Sequence, residues 1–346
     1  MVGANDRHLK VLTMRDERAP PDRTSPVSMW KEDDVLDGRR VKAQVIILRT
    51  KGCWWAHKGG CTMCGYNNES ILDIGQSDMM RQLEKASARY QGEPMVKVYT
   101  SGSFLDENEL PADVRDSFFE RFSAAERILF ESRPEFITKE SLQKVPRDKC
   151  MTALGLETSN DELLVKAIRK GFRYEDYQRA AGELKSAGIP VRTYLLLKPP
   201  LLTEVQGIAD AVRSINMSAE YSESISINPI NVQSGTRVEE LWRRGDYRPP
   251  WLWSLVEVIR QGKASTSVRI MSAPSGAGTP RGVHNCPKCD RKVLDAIERF
   301  TFSQDLKDLD GLECSCMDRW RGQLEWQGPM RTSVDVARHI GEDAES

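Results

Sequence analysis

The sequence predicts an α/β protein organised on a parallel sheet, and two observations carry that reading. Short apolar, β-branched runs alternate about six times with helix-like stretches between residues 43 and 245, the pattern of repeated strand–helix–strand units. The chemically unusual residues follow those runs directly, where parallel sheets gather their functional groups. At this level the sheet is either doubly wound or curled into a barrel.

Taken in order, "AQVIILR" (43–49) is the first predicted strand and leads straight into a loop holding Cys53, Cys61 and Cys64. "DMMRQLEKASARY" has helical spacing and precedes the strand "VKVYTSGSF" (96–104); "DVRDSFFERFSAAE" precedes "RILFES" (127–132). "MTALGLET" (151–158), "IPVRTYLLL" (189–197) and "ESISINPI" (223–230) follow. Between them lie "DELLVKAIRK", "YEDYQRAAGELKSAG" and "EVQGIADAVRSINMS", with apolar residues at helical intervals. Gly188 ends one helix just before the next strand. After the strands come, in turn, the cysteine loop, "SGSFLD", "ESRPE", "LETSND", "KPP" and "NVQSGT". One rim therefore collects thiols, small polar groups and carboxylates.

Lys+Arg (50) nearly balances Asp+Glu (51), so net charge by itself names no nucleic-acid partner, although a local basic face can hide within a balanced total. No run approaches the roughly 18 apolar residues of a membrane helix, so no membrane association is expected. The first 28 residues are polar, without the apolar core of a secretory signal, and a cytoplasmic protein is expected. The predicted organisation is an N-terminal extension (1–40), a sheet domain (41–265) and a C-terminal cysteine-bearing segment (266–346).

The eight cysteines lie at 53, 61, 64, 150, 286, 289, 314 and 316. Such clusters in an intracellular protein indicate metal sites rather than disulfides. Cys150 stands alone and reads as an inert buried thiol. Three thiols in Cys53-x7-Cys61-x2-Cys64 admit two readings. One is structural zinc with His57 as fourth ligand. The other is a [4Fe-4S] cluster with one iron left open, favoured by soft thiolate ligation and by the loop's place after the first strand.

These residues resemble the cluster loop of the radical S-adenosylmethionine (SAM) superfamily, whose usual spacing is Cys-x3-Cys-x2-Cys after the first strand of a six-stranded partial (β/α)6 barrel. The first spacer here is seven, and Met63 stands where an aromatic residue is usual. The resemblance implies that Met63 meets the SAM adenine through its backbone and that Ser101, Gly102 and Ser103 receive its methionine amino group. It places Glu131 and Arg133 near SAM, makes Glu157 a rim carboxylate and puts Asn231, in "INPINVQSGT", beside the adenine.

Over about residues 28–320, "LRTKGCWWAHKGGCTMCGY", "GFRYEDYQRAAGELKSAG", "YLLLKPPLLTE" and "PRGVHNCPKCD" resemble the radical SAM subunits of archaeosine synthase. That family implies cleavage of the lysine carbon–nitrogen bond of a lysine-bearing 7-deazaguanine in the D-loop of archaeal tRNA, leaving a formamidine. It implies hydrogen abstraction from the lysine by a 5′-deoxyadenosyl radical, a reducing electron donor, and a partner synthase that attaches the lysine and brings an RNA-binding domain. Glu157 and Lys198 are candidates to grip the lysine moiety or SAM, and Arg281 to bind a phosphate or the lysine carboxylate. Two rival classes are an elongator-like tRNA uridine modifier and a non-catalytic, metal-stabilised RNA-binding module.

Cys286-x2-Cys289 and Cys314-x-Cys316, with 24 residues between the pairs, form a plausible four-thiolate zinc site. His284 is a substitute ligand, most plausibly for Cys316. A second iron–sulfur cluster is the rival reading.

Overall fold

A computed structural model of the chain describes residues 21–328. Eight strands form one sheet: β1 (Ser28–Leu36), β2 (Arg39–Ile47), β3 (Met95–Tyr99), β4 (Arg127–Ser132), β5 (Cys150–Glu157), β6 (Val191–Leu197), β7 (Ser224–Pro229) and β8 (Arg269–Met271). Their spatial order is their sequence order, and every pair from β2 to β8 is parallel. A doubly wound sheet reverses order at a switch point. This one never reverses, so the sheet winds in a single sense and curls into a half-barrel.

The predicted strands from 96 to 230 sit on β3–β7. The ends differ from expectation. Residues 28–36, expected within an extension, form β1 and pair antiparallel with all of β2, Ser28 opposite Ile47 and Leu36 opposite Arg39. The hairpin turns at Asp37 and Gly38, both at positive φ, as a two-residue Asp-Gly turn requires. β8 likewise carries the sheet past residue 265.

The helices are α1 (Gln76–Ser87), α2 (Ala112–Arg121), α3 (Lys139–Gln143), α4 (Tyr174–Ser186), α5 (Glu204–Ser218), α6 (Arg237–Arg244), α7 (Leu252–Ser265), α8 (Asp290–Ser303) and α9 (Cys316–Gln327). They cover the convex face of the sheet with an apolar layer. α1 turns Met79, Leu83 and Ala86 inward against Ile46, Val96 and Val98 of the strands, residues at i, i+4 and i+7 on one stripe. α5 begins at Thr203, whose hydroxyl accepts from the Gln206 amide in a capping box.

The concave face combines a small apolar cluster, including Ala43, Met95, Leu129 and Met151, with buried polar groups. Near its floor Asp34 of β1, 1% exposed, receives two guanidinium bonds from Arg192 of β6 (2.8 and 3.0 Å) and pairs with Lys97 of β3. Burial alone would push the Asp34 carboxyl up, but Arg192 and Lys97 outweigh it and hold it well below the usual carboxylate range. Above this group the hydroxyls of Tyr99 and Tyr194 meet at 3.0 Å.

Candidate active site and metal centres

The loop after β2 is pinned before it reaches its first cysteine. Gly52 has φ +98°, and a Cβ there would fall 2.2 Å from Asn67 Oδ1, so only glycine passes. Beyond Cys61, Thr62 donates its amide to Ile168 O (2.9 Å) and its hydroxyl to Ala167 O (2.7 Å). The Gly65 amide donates to Gln233 Oε1 at 2.6 Å. The loop is thus stapled to the segments after β5 and β7. The long spacer carries Trp54, which donates to Glu135 Oε1 (2.9 Å), and Trp55, which donates to Arg169 O (2.8 Å).

Both indoles and Phe172 surround the Arg133 guanidinium, with ring centroids 5.4–5.8 Å from its carbon. Arg133 donates to Glu135 Oε1 at 2.5 Å and to Lys170 O at 3.0 Å. Burial pushes all three loop thiols up, Cys64 to about 11, while the Arg133 charge opposes the rise at Cys53 and Cys61 and Lys170 opposes it at Cys61 and Cys64. Two fixed cations beside three thiols suit a ligand set that becomes anionic once charged metal displaces the protons.

The turn Ser101–Ser103 is clamped by a residue the sequence reading missed. Glu109, 1% exposed, accepts the amides of Ser101 (2.9 Å), Gly102 (3.0 Å) and Ser103 (2.6 Å) and the Thr50 hydroxyl (2.7 Å). A Cβ on Gly102 would lie 2.8 Å from Cys53 Cα, so the turn packs directly on the cysteine loop. Lys170 was missed too; its ammonium binds Glu157 Oε1 at 2.7 Å. Glu157 is therefore a paired rim carboxylate. It sits at φ +69°, next to a register shift in β5. Half-buried Glu131 is pushed up to about 7, chiefly by burial; Lys170 opposes this, and Glu157 and Glu109 add to it.

The other candidates divide. Met63 packs against Val232, Val238 and their neighbours. Asn231 reaches toward Ser275 Oγ at 3.5 Å. Lys198, 6% exposed, is committed to Glu204 Oε2 (2.7 Å) and the Arg248 carbonyl (2.9 Å), and Glu204 in turn holds the Trp251 amide and the Ser254 hydroxyl. Arg281 is likewise occupied, by Glu239 Oε1 at 2.8 Å and the Val232 carbonyl at 2.9 Å. Cys150 is fully buried, and its thiol is driven far up by that burial.

The second cysteine set closes on itself. Sulfur–sulfur distances are 3.6 Å for Cys286–Cys289, Cys286–Cys314 and Cys289–Cys316. Among the described residues this is the group whose ligand atoms all lie within 4.8 Å of one another; the three loop thiols are not so gathered. Four-coordination with 2.3 Å metal–sulfur bonds gives tetrahedron edges of about 3.8 Å, so the set fits a single ion. The Trp253 indole donates to Cys316 Sγ at 3.3 Å, orienting a ligand from outside. His284 turns Nδ1 toward the Gly282 carbonyl (2.8 Å), and the four sulfurs complete the set without it.

The open three-cysteine loop stands at the C-terminal mouth of a singly wound half-barrel. No family model matches the chain. It is 41% identical to archaeosine synthase subunit beta of Methanosarcina acetivorans, over 91% of this chain and 94% of that protein. It is 38% identical to archaeosine synthase subunit beta of Thermococcus kodakarensis, over 87% and 99% respectively. The chain belongs to the archaeosine synthase subunit beta family. Among solved structures, an archaeal Elp3 of Methanocaldococcus infernus with its N-terminus deleted is 16% identical, with a TM-score of 0.48 over 68% of this chain and 59% of that one.

Proposed function

We propose that this chain is the radical SAM subunit of an archaeosine-forming system, a lyase that cleaves the lysine carbon–nitrogen bond of a lysine-bearing 7-deazaguanine in archaeal tRNA and leaves the formamidine. The observation that carries the reading is the open set of Cys53, Cys61 and Cys64, faced by Arg133 and Lys170 and packed against the Ser101–Ser103 turn. When bound there, a [4Fe-4S] cluster supplies the electron that cleaves SAM. The protein's part is position and dryness. Glu109 fixes the Ser101–Ser103 turn, whose small residues leave room for the SAM methionine group. Met63 and Asn231 flank the adenine end. Arg133 and the Glu157–Lys170 pair set the charge around the thiols. Glu131, its carboxyl pushed up chiefly by burial, is the rim group suited to meet the substrate's amine.

Lys198 and Arg281 take supporting roles through Glu204 and Glu239, since their charges are already paired. The Cys286–Cys289–Cys314–Cys316 clip is read as zinc: its 3.6 Å edges suit one tetrahedral ion, whereas a cubane spreads its thiolates over separated irons. Partners in this reading are tRNA, the lysine-attaching synthase subunit and a reducing electron donor, all in the cytoplasm. No described helix is long and apolar enough to cross a membrane.

The test uses anaerobically reconstituted protein, tRNA bearing the lysine-modified base, and nucleoside mass spectrometry. Archaeosine and deoxyadenosine should form together, with deuterium passing from labelled lysine to deoxyadenosine. Deoxyadenosine without archaeosine would sink the substrate assignment.

A further inference from the structure

Two residues past Cys64 stands Tyr66, whose ring is 57% exposed while its backbone is held from several sides. Gln233 fixes the amide of the preceding Gly65 at 2.6 Å, and the Ser101 hydroxyl donates to the Tyr66 carbonyl at 3.4 Å. Asn68 donates to the Ser234 carbonyl at 2.8 Å. A Cβ on Gly65 would fall 2.9 Å from Gln233 Cβ, so glycine there lets the segment after β7 close on the loop. Tyr66 is mounted on a turn tied to the segments after β3 and β7, with its ring open.

The other aromatic side chains of the loop are occupied. Trp54 and Trp55 meet edge to face with centroids 5.7 Å apart, and both flank Arg133. The Tyr66 ring pairs with neither ring nor cation among the described residues. Its hydroxyl end faces the Gln233 side chain and the Glu131 and Glu157 carboxylates. Those carboxylates converge over Gly155, where a Cβ would lie 3.0 Å from Glu157 Oε1 and 3.8 Å from Glu131 Oε1. Residues 49–68 contain no Asp or Glu, and Lys51 and Lys58 are exposed there, neither in an ion pair among the described residues. The mouth offers an open aromatic face, with cations along the loop and carboxylates within.

We propose that Tyr66 is the stacking platform for the target base. Its ring takes the face of a base splayed out of the RNA strand, and Lys51 and Lys58 take phosphates of the same strand; this rests on the reading that the chain acts on tRNA. A base reaches an enzyme's reacting groups only after leaving its stack, and aromatic side chains hold such bases by their faces. Stacking is indifferent to base identity, because every base has a π-face. Selection falls to Glu131 at the inner end, which favours a base carrying a cationic substituent over an unmodified one. The SAM adenine is the rival occupant. The reading above seats it at Met63 and Asn231, whereas the Tyr66 carbonyl meets Ser101, at the methionine end.

The test titrates the full chain, both metal centres loaded, with tRNA bearing the lysine-modified base and with the same tRNA made abasic at that position. Tyr66→Ala should weaken binding of the lysine-bearing tRNA about tenfold, the size of one lost base stack, while Tyr66→Trp keeps it within about twofold. The abasic tRNA should bind wild type as weakly as the intact tRNA binds Tyr66→Ala, and combining the two changes should cost nothing further. The change that SAM makes in the cluster's electron paramagnetic resonance spectrum should survive in every variant, and so should the melting transition. Replacing Lys51 and Lys58 together by Ala should lower the slope of log affinity against log salt by about 2. Equal affinity of wild type and Tyr66→Ala overturns the platform. Losses that add in the combined experiment overturn the assignment to the target base. A SAM-dependent spectral change lost in Tyr66→Ala gives the ring to the cofactor and overturns the proposal. Wild type that forms archaeosine without this coupling overturns the platform alone; coupling without archaeosine supports it and overturns the proposed reaction.

Discussion

The two cysteine sets use one ligand type for opposite ends. In the C-terminal clip four sulfurs stand 3.6 Å from their neighbours, and an indole orients one of them. Nothing remains to be coordinated. In the loop after β2 three thiols spread wider, two cations face them, and the surroundings are strained: Glu157 and Arg169 both sit at positive φ. A closed, relaxed site suits stability, and an open, strained site suits chemistry. The spacing of cysteines separates the two less well than the groups placed around them.

The widest test of that contrast is to remove one thiol from each set. Cys61→Ala should abolish iron loading and deoxyadenosine formation while leaving one equivalent of the clip metal and a nearly unchanged melting transition. Cys289→Ala should do the reverse, with loss of the clip metal and loss of folded protein before any specific loss of chemistry. Metal analysis beside thermal melts reads both, and equal effects from the two variants would erase the distinction.

Next in size is Glu109→Ala. It strands three amides and a hydroxyl in a buried turn, and at about 1–3 kcal/mol for each unsatisfied group the loss should be several kcal/mol. Glu109→Gln keeps the acceptor for Thr50, Ser101 and Gly102, loses only the one for the Ser103 amide, and should cost less. Calorimetry separates them.

A smaller effect follows from Glu131, whose carboxyl moves from the ordinary 4.5 to about 7 on burial. Between those values the folded chain keeps a proton that the unfolded chain has released, so stability falls as pH rises across that window. Glu131→Gln should flatten that slope and leave stability below pH 4.5 nearly unchanged, as melts of both proteins across the range will show. Smallest is Tyr99→Phe, which removes the hydroxyl pair with Tyr194 and should cost about 1 kcal/mol, with no change at either metal site.

Much of this was legible in the sequence because local pattern and tertiary role coincide there. β4 lies at the predicted residues 127–132, since a strand buried on both faces is a continuous apolar run. β1 was not seen, because "SMWKEDDVL" is charged at four of its nine positions and reads as solvated chain. Its buried Asp34 is tolerated only through Lys97 and Arg192, partners 63 and 158 residues away. The Asp37-Gly38 pair was the available hairpin signal. Glu109 and Lys170 escaped for the same reason in reverse: nothing local distinguishes a carboxylate that will clamp a turn from one that will face water. Lys198 looked free and is held by Glu204 six residues on.

The Asp34–Arg192 bond also bears on how the chain is made. During synthesis β1 emerges first, yet the charge it must bury has no guanidinium to meet until residue 192 has left the ribosome. Until then Lys97 of β3 is the cation available to Asp34, and the floor lacks the paired guanidinium that completes it. The first strand translated is among the last parts of the sheet to become secure, and a nascent chain halted before β6 should expose its N-terminal residues to protease.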